Sequence, residues 1–506
     1  MSHKEVSAEN QVNINSETKR FSKDTLTYGI AVIIPAFIGI ISISIYTRLF
    51  STEQFGQYNQ VFNTTLLITT LFSQWIQQSI QRYRPLYRND AEGLRDFNTN
   101  LVNLICLMCA LIVLLAGLGS FFTSALGDYK QYYWTSILLI ITQFLFLTFG
   151  SVLQADFKTK KYKNFNLLTS IFKFGIGLAL IFFVYRHPIS IIYGLVLGQI
   201  FLLRSMFKST GMSLKTFSLT RWSETKIFTK QFMLYGFPMI GWFIGNSILN
   251  LADRYMLEGL GSAQDVGIYS ANYSIVIASL GLLTTPLLTA AHPIIMNQAN
   301  KVTDIELGKL ITFFCRIYML ISIPLLAFVT VFHREITSVF LGEGFREGSI
   351  IIPIVFLSLI FWNLGMYGHK GYEIKEKTKI MLSFVLISAI ANIFLNYLLI
   401  PKYKYMGAAV ATLISMALYP LLVRMFSSRY IKWEINKLST CRVIIASVIT
   451  GVIVNTVKDM LFNNQFLQIA FGGCVGLVIY ITLLLLCREL NYKEIKKNIL
   501  KKLSKH

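Results

Sequence analysis

Apolar stretches of about twenty residues recur along the whole 506-residue chain, and each is long enough to cross a bilayer as a helix. A backbone in hydrocarbon must satisfy its own hydrogen bonds, so such a chain folds as a bundle of spanning helices. About fourteen windows fit, near 26–46, 58–81, 99–122, 133–155, 164–184, 188–204, 231–253, 268–292, 310–332, 349–368, 380–400, 406–423, 443–456 and 465–487. Those at 188–204 and 443–456 show the pattern least clearly. Only 14% of the residues are charged, against about 25% in ordinary soluble domains, while 54% are apolar. Water could not hide that much apolar surface; a membrane can.

Lys and Arg gather in alternate loops: FKTKKYK at 157–163, the 204–230 connection, and the tail KEIKKNILKKLSKH. Basic loops stay cytoplasmic, so both termini are expected inside. The polar residues 1–25 make no cleavable leader, because the following apolar run is too long and lacks a small-residue cleavage site. They are expected to form a disordered cytoplasmic tail. The net charge of +22 follows from this topology, with some attraction to anionic headgroups, and calls for no nucleic-acid partner. All six cysteines fall in or beside helix windows, which argues against structural disulfides. Cys106 and Cys109 share a helix face without a third ligand, so packing explains them better than zinc.

The loops narrow the function. The longest expected outside loop is HREITSVFLGEGFREG, at 333–348. No Asp-x-Asp and no GxxxxGK[ST] phosphate loop occurs, and the six histidines form no pair at metal-ligand spacing. A membrane enzyme such as a repeat-unit polymerase or ligase would want a large outside loop carrying Arg or His. The chain therefore reads as a non-enzyme without a metal site.

Two stretches match one another. TYGIAVIIPAFIGIISISIYTRLFSTEQFGQYNQVFN begins at Thr27, and LYGFPMIGWFIGNSILNLADRYMLEGLGSAQDVGIYSANYS begins at Leu234. Each opens with Tyr-Gly, has a proline in its first half (Pro35, Pro238), ends its apolar run at an arginine (Arg48, Arg254), and then reaches Gly-x-Tyr. Six windows separate the copies, so both run the same way through the membrane. The fold expected is all-α and polytopic, with two parallel six-helix lobes around a central cavity and a trailing helix pair. The boundaries read as tail 1–25, first lobe 26–206, basic linker 207–230, second lobe 231–425, trailing pair 426–487 and basic tail 488–506.

TRLFSTEQFGQYN at 47–59, YGFP at 235–238, LNLADRYML at 249–257, DVGIYSANYS at 265–274 and KTK…ANIFLNYLLIPKYKYMGAAVATLIS at 377–415 together resemble the polysaccharide transporter branch of the multidrug/oligosaccharidyl-lipid/polysaccharide exporter superfamily. The resemblance covers roughly 25–425 and is greatest to bacterial Wzx-type flippases. It implies movement of an undecaprenyl-pyrophosphate-linked oligosaccharide (O-antigen, capsule or exopolysaccharide) across the bacterial inner membrane by alternating access. Partners would be that substrate, membrane lipids, and polysaccharide polymerase and chain-length proteins. No cofactor is implied, and the coupling ion, H+ or Na+, stays open. Rival readings are a lipid II flippase, a drug–cation antiporter and a non-transporting assembly protein. Drug antiporters of the superfamily tend to carry a buried acid in the first lobe, and no Asp or Glu falls well inside any window.

A pyrophosphate suits arginine, whose planar fork makes paired hydrogen bonds. Charges in a bilayer usually face a cavity or a partner. Arg82 ends a segment in which Gln74, Gln77, Gln78 and Gln81 share one helix face, too much amide for lipid. Arg82 leads the substrate-binding candidates, against a simple basic flank with Arg84 and Arg88. Arg48 and Arg254 are candidates against interfacial snorkelling, and Asp253 beside Arg254 reads as structural. Lys173 and Arg316 lie deeper, facing the cavity or bridging helices. Gln74, Gln78, Asn246 and Asn250 offer amides to sugar hydroxyls, with helix-to-helix bonding the alternative. Pro35 and Pro238 are candidate hinges.

Overall fold

The computed structural model describes residues 34–87, 89–213, 217–218, 221–299, 301–427, 429–461 and 463–489. The expected tail 1–25, Tyr28–Gly29 of the first repeat copy and nearly all of the tail 488–506 lie outside the described residues. The described chain is helical: α1 (Ile34–Leu49), α2 (Thr52–Tyr83), α3 (Ala91–Ser120), α4 (Tyr133–Ala155), α5 (Thr159–Phe183), α6 (Ile189–Thr210), α7 (Trp222–Leu260), α8 (Ala263–Gln298), α9 (Asp304–Phe340), α10 (Ile351–Gly368), α11 (Lys370–Ile374), α12 (Thr378–Ser427), α13 (Lys437–Leu461) and α14 (Gln465–Leu486). Nine helical segments among the described residues are long and apolar enough to cross a membrane, so this is a multi-pass membrane protein. Local chemistry sets several starts. Asp90 accepts from the Gly93 amide ahead of α3, and Thr303 with Glu306 closes a reciprocal capping box at α9.

The windows at 380–400 and 406–423 both fall on α12, which breaks at Lys404 (φ 48°, ψ −133°). The chain folds back there. A Cβ added at Gly407 would sit 2.5 Å from the Leu399 carbonyl oxygen, although eight residues of straight helix span about 12 Å. Only a glycine permits that approach. The expected 333–348 loop is mostly helix: α9 runs to Phe340, and a 3₁₀ segment covers Glu343–Ile350.

The chain packs as two compact units, 1–42 with 54–247, and 43–53 with 248–506. The divisions fall inside α1, in the first turn of α2 and inside α7.

In the first unit, Leu101, Ile140, Phe144, Val152, Leu153 and Met206 form a buried core. α5 and α6 approach so closely that a Cβ at Gly194 would lie 2.5 Å from the Gly177 nitrogen. The basic connection before α7 is docked on α3. The Asn103 amide donates to the Ser218 carbonyl at 3.1 Å and accepts from the Ser218 amide at 3.1 Å. Arg221 pairs with Asp96 at 2.5 Å.

In the second unit, Tyr269, Tyr273, Tyr318, Phe332 and Tyr419 are buried. Ion pairs fasten the trailing pair to α9. Lys458 meets Glu335 at 2.5 Å, and Arg316 meets Glu489 at 2.6 Å.

Candidate functional site

α2 carries the amides and Arg82 along one side. Gln74, Gln78 and Arg82 follow at four-residue intervals, covering about 12 Å of helix. Gln74 and Gln78 are half-buried, and neither amide has a hydrogen-bond partner among the described residues. Gln77 donates to Ser73 at 2.9 Å and accepts from Ser151 at 3.4 Å, and Gln81 donates to Gln154 at 2.9 Å, so those two tie helices together. Arg82 is exposed, with its guanidinium 4.4 Å from the centre of the Tyr235 ring on α7. That cation–π contact orients the head.

Arg84, read from sequence as a basic flank, is instead the buried anchor of this end. It is 3% exposed, pairs with Asp156 at 2.7 Å, and donates to Asn98 at 2.6 Å and to the Thr210 carbonyl at 3.3 Å. The separation has a geometric cause. α2 ends at Tyr83, and the 3₁₀ turn Arg84–Tyr87 swings Arg84 inward. Burial pushes the Asp156 carboxyl up, but hydrogen bonds and charge from Arg84, then Lys158, outweigh it and hold the group below the ordinary aspartate range.

Lys173 lies within the long apolar α5. Its ammonium is 4.3 Å from the centre of the Phe62 ring, with no carboxylate or hydrogen-bond partner among the described residues. Phe62 stacks in turn on Tyr58 at 5.8 Å. Lys173 is therefore level with a point on α2 about 30 Å from Arg82.

In the second unit Arg316 takes the helix-bridging alternative of the sequence reading. Its Nε and Nη2 donate to Glu489 at 2.9 and 2.6 Å, and Nε also reaches Ser439 at 3.1 Å. Arg442 approaches the same carboxylate at 3.4 Å. Arg316 fastens α9 to the end of α14. Burial pushes Glu489 up, yet the bonds from Ser439 and Arg316 prevail and keep it below the usual glutamate value.

Arg48 does end α1, and its head is exposed. It donates to the Ser44 and Val339 carbonyls, both at 2.6 Å. Arg254 differs from its repeat partner, because α7 continues to Leu260 rather than stopping there. Arg254 is 5% exposed, donates to the Asn250 carbonyl, and lies 4.7 Å from the centre of the Tyr273 ring. Asn250 accepts from the Tyr273 hydroxyl at 3.3 Å, and Asn246 is half-buried. Pro35 stands in the first described turn of α1, and α7 stays helical through position 238.

The same extension of α7 corrects the reading that no acid lies well inside a helix. Asp253 is fully buried, nearly two turns before the helix ends. One carboxylate oxygen accepts from Asn392 at 3.1 Å and Asn396 at 2.7 Å; the other accepts from Tyr269 at 2.6 Å and from Thr412. The Asn396 side-chain oxygen beside it is buried and unpartnered among the described residues. Four donors satisfy this carboxylate, and the same asparagine, tyrosine and threonine groups carry oxygens that can face a hard monovalent cation such as Na+ once they turn. The first copy has Thr47 at the matching position, where its hydroxyl accepts from the Gly342 amide at 3.1 Å. The pair Asn392 and Asn396, four residues apart in an apolar run, was the available sequence signal.

Two grooves border the trailing helices, one of about 520 Å³ between α9, α13 and α14, the other of about 910 Å³ between α9, α10 and α13. The larger is lined by apolar residues such as Ile323, Leu357 and Val448, with His333, Arg334 and Lys458 among its polar members.

The fold is that of a polytopic all-helical membrane protein. A solved lipid II flippase, in an inward closed conformation, superposes with a TM-score of 0.73 at 17% identity, covering 92% of this chain and 99% of that one. An inward-facing multidrug resistance MATE family transporter superposes at 0.60 with 13% identity, covering 79% and 97%. The family model described as polysaccharide biosynthesis protein matches residues 21–298, more than half of the sequence, and a MatE model matches 238–398. The chain belongs to the polysaccharide biosynthesis protein family. It is 22% identical to a candidate low-salt glycan biosynthesis flippase of Haloferax volcanii over 74% of this chain and 76% of that one. It is also 22% identical to a candidate O-antigen transporter of Shigella flexneri, over 78% and 95%.

Proposed function

We propose that the protein is a flippase for lipid-linked glycans, carrying a polyprenyl-pyrophosphate-linked oligosaccharide from the cytoplasmic to the outer face of a bacterial inner membrane by alternating access. The observation that carries this is the side of α2 bearing Gln74, Gln78 and Arg82. Unpaired amides in a bilayer are costly and gain only where a polar guest passes. Arg82, steered by Tyr235, suits pyrophosphate, and Lys173 over Phe62 supplies a second cation deeper in the same unit. Amides and the Tyr58–Phe62 aromatics suit sugar, and the grooves beside the trailing helices suit a polyprenyl chain. Asp253 is the candidate coupling site, loading H+ or Na+. Asn246, Asn250, Arg254 and Arg48 are assigned supporting roles, and Arg316 none in binding.

The test is deletion in the native host with extraction of lipid-linked saccharides and measurement of surface polymer. The reading expects surface polymer to fall and repeat units to accumulate facing the cytoplasm, with Arg82→Ala failing to restore export. Accumulation on the outer face would assign the protein to a step after flipping. Loss of peptidoglycan synthesis with intact surface polysaccharide would point to a lipid II carrier.

A further inference from the structure

Where α10 gives way to α11, four titratable side chains converge. His369 is 1% exposed, and its Nδ1 lies 2.8 Å from the hydroxyl of buried Tyr419 on α12. Its Nε2 is buried without a hydrogen bond and stands 3.7 Å from one oxygen of Glu373. The other Glu373 oxygen takes the Lys370 ammonium at 2.6 Å and faces His292 Nδ1 of α8 at 3.8 Å. His292 is about half exposed and Glu373 about a quarter, so the cluster grades from surface to interior. The remaining charges nearby are engaged elsewhere. Lys375 pairs with Asp304 at 2.9 Å, and Arg424 lies over Trp433 and near Glu434.

A neutral imidazole carries one proton and can satisfy only one of its two contacts as a donor. A second proton gives an imidazolium with one N–H toward Tyr419 and the other toward Glu373. Lys370 and Glu373 already cancel, so uptake takes the cluster from no net charge to one positive charge. Close packing makes the junction sensitive to small shifts: a Cβ at Gly371 would sit 3.0 Å from Ile431, and Gly368 lies against the Trp433 ring.

We propose that His369, Glu373, Lys370 and His292 form a proton-binding site, in which His369 takes up one proton through the half-exposed His292–Glu373 edge and the α10–α11 junction thereby reads the pH on that side of the membrane. The site is separate from Asp253 and does not depend on what is transported.

The experiment is a pH titration of the full chain in lipid nanodiscs, labelled with ¹⁵N-histidine. Only six histidines contribute, and His369→Gln identifies the signal. His369 is expected to show the signature of a second proton as the pH is lowered. Glu373→Gln should lower the midpoint by about one pH unit, a tenfold loss of proton affinity, because it removes the facing carboxylate. Lys370→Met should move it the other way, because it removes a neighbouring cation, and this variant serves if Glu373→Gln does not fold. A merely structural cluster would show neither shift. A His369 that stays neutral over the whole pH range in which the chain remains folded, or a midpoint unmoved by either variant, overturns the proposal. No lipid-linked saccharide enters the measurement, so its failure leaves the flippase reading standing.

Discussion

Asp253 permits two substitutions with opposite consequences. In Asp253→Asn the remaining carbonyl oxygen still accepts from Asn392 and Asn396, while the new amide points at two hydroxyls, Tyr269 and Thr412, which rotate to accept. All four hydrogen bonds survive and only the charge is lost. In Asp253→Ala the Asn392 amide loses its acceptor, and the two hydroxyls keep only each other at 3.4 Å. One to two buried donors are then orphaned at about 1–3 kcal/mol each, with a void added, so the total is roughly 3–5 kcal/mol. Thermal unfolding of the detergent-solubilised chain should therefore place Asn near wild type and Ala far below. If Asp253 loads Na+, adding NaCl against choline chloride at fixed ionic strength should raise the wild-type midpoint and leave Asp253→Asn unmoved. Export should fail in both variants. Equal destabilisation by Asn and Ala would refute the hydrogen-bond argument. Full export by Asp253→Asn would refute the coupling role.

Other outcomes follow from the remaining contacts. Arg82→Lys should keep partial export and Tyr235→Leu should reduce it in the same complementation assay, because the ring aims the guanidinium. Lys173→Met should leave folding intact, since no partner is stranded, yet lower export; unaltered export would make Lys173 a packing residue. Arg84→Ala should cost about 1–3 kcal/mol by removing a buried guanidinium and leaving Asp156 to Lys158, read as loss of folded protein on denaturant titration. Because the folded Asp156 value is depressed, its contribution is present above the ordinary aspartate value of about 4 and is lost as pH falls through the lower folded value. Arg84→Leu with Asp156→Leu should remove that acid-sensitive step; a step that persists would place it elsewhere.

The membrane class and the helices were legible because apolar length is a local property. So was the face of α2 that carries Gln74, Gln78 and Arg82, because helical phase is local too. What escaped were pairings over long sequence distances. Asp253 meets Asn392 and Thr412 at separations of 139 and 159 residues, so it stood at the edge of the 231–253 window rather than in the interior of α7. Arg316 looked free because Glu489 lies beyond every apolar window. Arg82 and Arg84, two residues apart, exchanged the burial expected of a flank through a single 3₁₀ turn that no periodicity announces. The break at Lys404 was anticipated as a loop, and the local geometry around Gly407 made it a tight reversal inside continuous helix.

The bond between Arg316 and Glu489 also sets a condition on synthesis. Arg316 leaves the ribosome 173 residues ahead of its partner. At 5–20 residues per second it waits roughly 10–35 s in or beside the membrane with no carboxylate. During that interval α9 has to be shielded by the insertion machinery or by its own snorkelling head. The molecule can be electrically complete only after its last spanning helix has been inserted. A stop codon just before Glu489 would leave α1–α14 in place and still yield an arginine without this counterion, so such products should be cleared by membrane proteases rather than persist as shortened transporters.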